Sequence, residues 1–210
     1  MRYRRTALAV ILVCGLARAL HAESTSPPVD YQALAAPDLL WQYNGKTHTA
    51  MSSSNDPTGG NADLSQFHGK YRGEKVLARI DGPGCVYRIW SALPSGTIRV
   101  YLDGAAKPEI SCGFKKYLHG ECAGLPSGFT VGRVANYMPI PFAKSIIITA
   151  PGFAFPGYYQ VSYQTYAAGT EVKSFRRAEA KSAEGLAAAV KTWKEGVVPA
   201  GRQLAFPETD

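Results

Sequence analysis

The chain has 210 residues, 46% of them apolar, which is enough for one domain-sized core with connecting segments. The formal charge of +7 overstates the balance of the folded part. Arg2, Arg4, Arg5 and Arg18 all fall in the first 22 residues with no acidic residue among them, so 19 basic residues face 16 acidic ones, or +3. Basic residues then occur as isolated pairs such as Lys115-Lys116 and Arg176-Arg177, not as the sustained stripe that tracks a phosphate backbone, which argues against a nucleic-acid partner.

Residues 1–22 read as a signal peptide: the arginines precede an apolar run from Ala7 to Leu16, and small-residue cleavage points follow at Ala17-Arg18-Ala19 and Ala22. The expected location is therefore outside the cytoplasm, periplasmic or extracellular. The run is too short to span a bilayer, and no later segment approaches the roughly 20 apolar residues a transmembrane helix needs, so no membrane partner is expected. Residues 23–46 form a leader, with a short helix expected between Asp30 and Trp41 and a break at Pro37. From Thr47 to Gly60 the composition turns to Ser, Thr, Asn, Asp, Pro and Gly, which predicts a long loop at the start of a domain placed at 47–180.

Six runs rich in β-branched and aromatic residues follow: Lys75 to Ile80, Cys85 to Ala92, Thr97 to Leu102, Glu109 to Gly113, Ser145 to Thr149 and Tyr158 to Tyr166. Ile98, Val100 and Leu102 alternate with Arg99 and Tyr101, as in a strand with one buried face. Asp103-Gly104 tolerates positive φ and turns that strand into the next, and Asp81-Gly82-Pro83-Gly84 separates the preceding pair. In the last run Tyr159, Val161 and Tyr163 alternate with Gln160, Ser162 and Gln164. Residues 181–196 carry the one clear helical period, with Ser182 as N-cap, Leu186, Val190 and Trp193 on one face and Gly196 as the stop. Residues 197–210 form a proline-containing tail. Short strands without alternating helices make the expected fold mainly β, an antiparallel β-sandwich with one C-terminal helix.

Three cysteines remain beyond the signal region. Odd parity in an oxidising compartment predicts one disulfide and one free thiol, with Cys112 and Cys122 as the pair, since they close a short loop containing Gly113 and Gly120, and with Cys85 free. A zinc site using these cysteines and His119 is the alternative, although the spacing matches no standard ligand pattern. His48, His68 and His119 stand in no recognised spacing to a nucleophile.

The stretch from Ser52 to Asp63 groups Asp56, Asn61 and Asp63 with several hydroxyls around Gly59-Gly60. That set suits hydrogen bonding to a polyol, and it equally suits an Asx-type turn whose side chains bind their own backbone. Strand periodicity places Val86, Arg88 and Trp90 on one face. Arg88 beside Trp90 reads either as a sugar platform or as a core tryptophan whose rim an arginine covers.

Four segments, taken in order, resemble glycoside hydrolase family 172, formerly a domain-of-unknown-function family: Ser54 to Asn61, Asp81 to Trp90, Ile98 to Gly104 and Asn136 to Ser145. The resemblance spans about residues 50 to 170. It implies a jelly-roll-like sandwich, in a family whose full members pair two sandwiches and assemble as trimers or multiples of trimers. It also implies a furanose-containing carbohydrate as partner (α-fructofuranosides, difructose anhydrides or D-arabinofuranosides) and retaining chemistry with no metal or other cofactor. Pro57 stands where the family often has arginine. The family's two catalytic glutamates lie beyond the equivalent of residue 210, so no catalytic residue is assigned, and the chain is expected to be a truncated first sandwich leading toward a second. The alternative is a secreted sandwich that binds carbohydrate or oligomerises without catalysis. Substrate contacts are expected from Asp56, Asn61, Asp63, Arg88 and Trp90.

Overall fold

A computed structural model describes residues 47–63, 66–183 and 185–195. The expected signal peptide, the expected leader helix, the helix stop expected at Gly196 and the tail expected at 197–210 fall outside the described residues. Two antiparallel sheets pack face to face as a β-sandwich of the jelly-roll-like kind, with a helix near the C-terminal end. The first sheet contains β1 (Thr47–Ser53), β11 (Tyr159–Tyr166), β4 (Gly84–Ser91), β8 (Ala135–Asn136) and β7 (Thr130–Val131) in that order, and β9 (Ile140–Phe142) also pairs with β4. The second runs β2 (Lys70–Tyr71), β3 (Glu74–Asp81), β10 (Ser145–Thr149), β5 (Thr97–Leu102), β6 (Ile110–Gly113).

Alternation builds the core. Ile98, Val100 and Leu102 of β5 point inward with Ile146 and Ile148 of β10, and meet Val86 and Ile89 of β4 and Val161 of β11 from the opposite sheet. The Ser52 hydroxyl donates to the Leu77 carbonyl at 2.6 Å, a polar tie between the layers. One open edge of the sandwich is plugged by α1 (Phe114–Leu118), whose Phe114, Tyr117 and Leu118 are buried. At the β5–β6 turn Asp103 and Gly104 both have positive φ, 53° and 78°. The Asp103 carboxylate accepts the Lys144 and Ser145 amides at 2.7 and 3.2 Å and the Ser174 hydroxyl at 2.5 Å, tying the hairpin to β10.

Three expectations need correction. Thr47 to Ser53 is not loop but strand β1, paired with β11 from Thr47↔Tyr166 to Ser53↔Gln160. An edge strand facing solvent tolerates the threonines and serines that suggested a loop. Ser182 does not cap the final helix: its hydroxyl donates to the Glu179 carbonyl, and α2 (Leu186–Glu195) begins after Gly185, which has φ 74°. Val86 does not share a face with Arg88 and Trp90. The pairing steps from Ser162↔Arg88 to Tyr163↔Val86, so Tyr87 is an extra residue in a β-bulge. Val86 is thereby turned inward, while Arg88 and Trp90 stay outside.

Candidate functional site

The Ser54–Asp63 loop leaves β1 at the end of the first sheet. Its start is pinned to β11: the Ser54 amide donates to the Tyr159 carbonyl at 3.1 Å, and the Tyr159 amide donates to Ser54 Oγ at 3.2 Å. Asp56 organises the rest. Its Oδ1 accepts the Thr58 amide at 2.9 Å and the Thr58 hydroxyl at 2.7 Å, and its Oδ2 accepts the Ala62 amide at 3.2 Å. The Thr58 side chain, followed by these backbone donors, holds the Asp56 carboxyl below its ordinary range. Asp63 closes the loop by accepting the Asp56 amide on Oδ1 at 2.7 Å. A Cβ on Gly60 would fall 2.6 Å from Asp56 Oδ2, so only glycine lets the chain pass this close. Asn61 is exposed, and among the described residues its side chain makes no hydrogen bond. Both carboxylates therefore serve the loop's own backbone.

The second candidate region lies on the outer face of the same sheet. Ser53, Gln160 and Trp90 are register partners across β1, β11 and β4, so with neighbouring strands about 4.8 Å apart the loop begins roughly 10 Å from Trp90. Ile89 and Ser91, on either side of Trp90, are buried, whereas Trp90 is half-buried and lies outside the core cluster. The core-tryptophan reading therefore does not hold: the indole stands on the solvent side. Arg88 lies between two rings, its Cζ 5.9 Å from the Trp90 centroid and 5.9 Å from the Tyr137 centroid. Its Nη1 donates to Gln160 Oε1 at 2.7 Å.

Tyr137 and Gln160 complete the face and were not singled out from sequence. Gln160 was legible as an outward position in the alternation of β11. Tyr137 follows Asn136, whose inward amide donates to the Tyr117 carbonyl at 2.8 Å and accepts the Met138 amide at 2.9 Å, locking the short segment that presents the tyrosine. Trp193 of α2 backs Tyr137 at 5.0 Å between ring centroids.

Cys112 and Cys122 form a disulfide with Cα atoms 6.1 Å apart, which removes the thiolates a zinc site would need. His119 Nδ1 accepts from Arg133 at 2.7 Å. Among the described residues no three potential metal-ligating side chains converge. Cys85 is free and buried, and burial pushes its thiol pKa up. No helix among the described residues is long and apolar enough to cross a membrane.

A family model described as the GH172 first beta-sandwich domain matches residues 45–183. No curated protein matches the chain.

Proposed function

From the premise that the chain belongs to glycoside hydrolase family 172, as its first β-sandwich domain, we propose that it supplies the sugar-contacting part of an exported furanoside-processing glycosidase. The observation that carries this reading is the outer-face arrangement of Arg88, Trp90, Tyr137 and Gln160 within the matched region. Two half-buried aromatic rings, for the apolar side of a sugar ring, stand beside hydrogen-bonding groups for its oxygens. Asn61 reaches the same end of the sheet from the loop. The Cys112–Cys122 disulfide supports action in an oxidising compartment.

Hydrolysis is not expected of the matched sandwich by itself. Retaining glycosidases need two carboxyl groups about 5 to 5.5 Å apart across the scissile bond, one of them a nucleophile and the other a proton donor. Asp56 and Asp63, the loop-borne carboxylate pair at this end of the sheet among the described residues, already accept backbone amides. The family resemblance assigns these roles to glutamates beyond the matched stretch. Aryl α-D-arabinofuranoside and α-D-fructofuranoside should bind without releasing the aglycone. Aglycone release that disappears in Asp56→Asn or Asp63→Asn would overturn this and make the loop a catalytic centre.

A further inference from the structure

The outer face carries one permanent charge, that of Arg88, beside the hydroxyls of Tyr137 and Ser162, which can donate or accept. A guanidinium has donors and no acceptor, so the Arg88–Gln160 contact fixes the amide orientation: Oε1 accepts from Arg88, and Nε2 is left with two donors only. Arg88 uses one Nη1 hydrogen on Gln160, and none of the ion pairs among the described residues involves it. The Arg88 Cζ stands 5.9 Å from the centroids of both the Trp90 and the Tyr137 rings, and apart from Nη1 the N–H groups along its edge have no hydrogen-bond partner among the described residues. Flanking rings also displace water from the cation and strengthen whatever bond that edge makes. The register neighbours of Arg88 are Ser162 on β11 and, beyond it, Met51 on β1, so the row brings no carboxylate to it.

A neutral polyol is best served by a mixture of donors and acceptors, because each hydroxyl both donates and accepts. A face whose one charge is an unpaired guanidinium, with the Gln160 amide donors beside it, gains most from a group that is anionic and accepts at that point. We infer that the Arg88–Gln160 pair, set between Trp90 and Tyr137, recognises the carboxylate of an acidic sugar, a furanuronate or a residue of like chemistry, whose ring lies against the aromatic side chains. The carboxylate takes N–H bonds from the Arg88 edge and from Gln160 Nε2, a charge-assisted set that a CH2OH group cannot reproduce. This inference rests on the reading of the face as sugar-binding and adds the charge of the sugar to it.

The test is a calorimetric titration of the full chain with methyl α-D-galactofuranosiduronate and with its neutral parent, methyl α-D-galactofuranoside, which differ only at C6. The acid should bind about fivefold or more tightly at low salt. The margin should shrink at about 0.5 M NaCl as the charge is screened. Arg88→Gln should erase the preference and Arg88→Lys should keep part of it. Gln160→Glu, which places a competing carboxylate on the guanidinium, should erase the preference as well. Circular dichroism and melting temperature confirm that each variant is folded. Equal affinity for the two sugars, with binding lost in Trp90→Ala, would overturn the acidic-sugar inference and leave the sugar face standing. Binding of neither sugar by the folded protein would remove the sugar face itself. A preference that persists in folded Arg88→Gln would place the carboxylate elsewhere and overturn the inference.

Discussion

The Ser54–Asp63 loop and the outer face of β4 begin roughly 10 Å apart at one end of the same sheet, and they spend their polar atoms in opposite ways. In the loop the strong acceptors turn back on the chain: Asp56 takes three hydrogen bonds from Thr58 and Ala62, and Asp63 takes the Asp56 amide. On β4 the backbone is already satisfied by β11, β8 and β9, so the side chains owe the fold little and Arg88 keeps most of its donors for solvent or ligand. Polar richness in a sequence thus marks where hydrogen bonds will be made. Whether they go to a ligand depends on how far the backbone can satisfy itself. A strand frees its side chains, and a glycine-rich loop consumes them.

The largest expected effect separates the two faces of β4 itself. Ile89 is 1% exposed and faces the core between Arg88 and Trp90, which face out. Ile89→Ala should cost about 2–5 kcal/mol in denaturant unfolding through lost burial and a residual cavity. Trp90→Ala and Arg88→Gln should each change stability by under about 1 kcal/mol. Their effect should be on ligand affinity instead, lowering it about tenfold, the scale of a lost anchor side chain. If Trp90→Ala proved as destabilising as Ile89→Ala, the indole would belong to the core after all and the comparison between the regions would collapse.

The strands with clean alternation were legible because burial imposes period two wherever one sheet face is covered: Ile98, Val100 and Leu102 gave β5 directly, and Asp103-Gly104 gave its turn. What escaped was structure set by tertiary pairing. β1 owes its existence to β11: Thr47 and Thr49 favour a strand, but the segment has no apolar alternation and runs into a Ser, Asn, Asp, Pro and Gly stretch that reads as loop. β7, β8 and β9 are two or three residues long, too short for any period to register. The bulge at Tyr87 shifts the face of Val86 relative to Arg88, and nothing local in Cys85-Val86-Tyr87-Arg88 announces the extra residue. At the site, the Arg88/Trp90 spacing was visible in sequence. Their company with Tyr137 and Gln160 was not, because those residues lie 49 and 72 positions from Arg88 and only sheet pairing brings them together.

A smaller effect, confined to the loop, follows from pH. The folded-state pKa of Asp56 lies below its ordinary value of 3.8, chiefly because the Thr58 hydroxyl and amide bind the charged form. A depressed carboxylate contributes stability that is present above the unfolded value and is lost as pH falls through the folded one. The loop should therefore hold its shape at neutral pH and loosen only below 3.8, seen as movement of the Thr58 and Ala62 amide resonances in an acid titration. Thr58→Ala should bring that transition to higher pH. Arg88 and Gln160 resonances should not follow it, since no Asp56 hydrogen bond reaches the strand face.

The smallest effect belongs to Asn61. Its neighbours Asp56 and Asp63 are committed to the loop backbone, so removing either one confounds loop shape with any ligand contact. Asn61 is exposed and makes no hydrogen bond among the described residues, so it can be truncated without disturbing that network. Asn61→Ala should leave the melting temperature unchanged and weaken furanoside binding only about two- to fivefold, the loss of one solvent-exposed hydrogen bond of roughly 0.5–1 kcal/mol. Such a loss would mean that the loop contributes one ligand contact at the margin of a site centred on β4. No change in affinity would make the loop purely a structural turn. A loss as large as that in Trp90→Ala would move the centre of the site from the strand face to the loop and reverse the contrast between them.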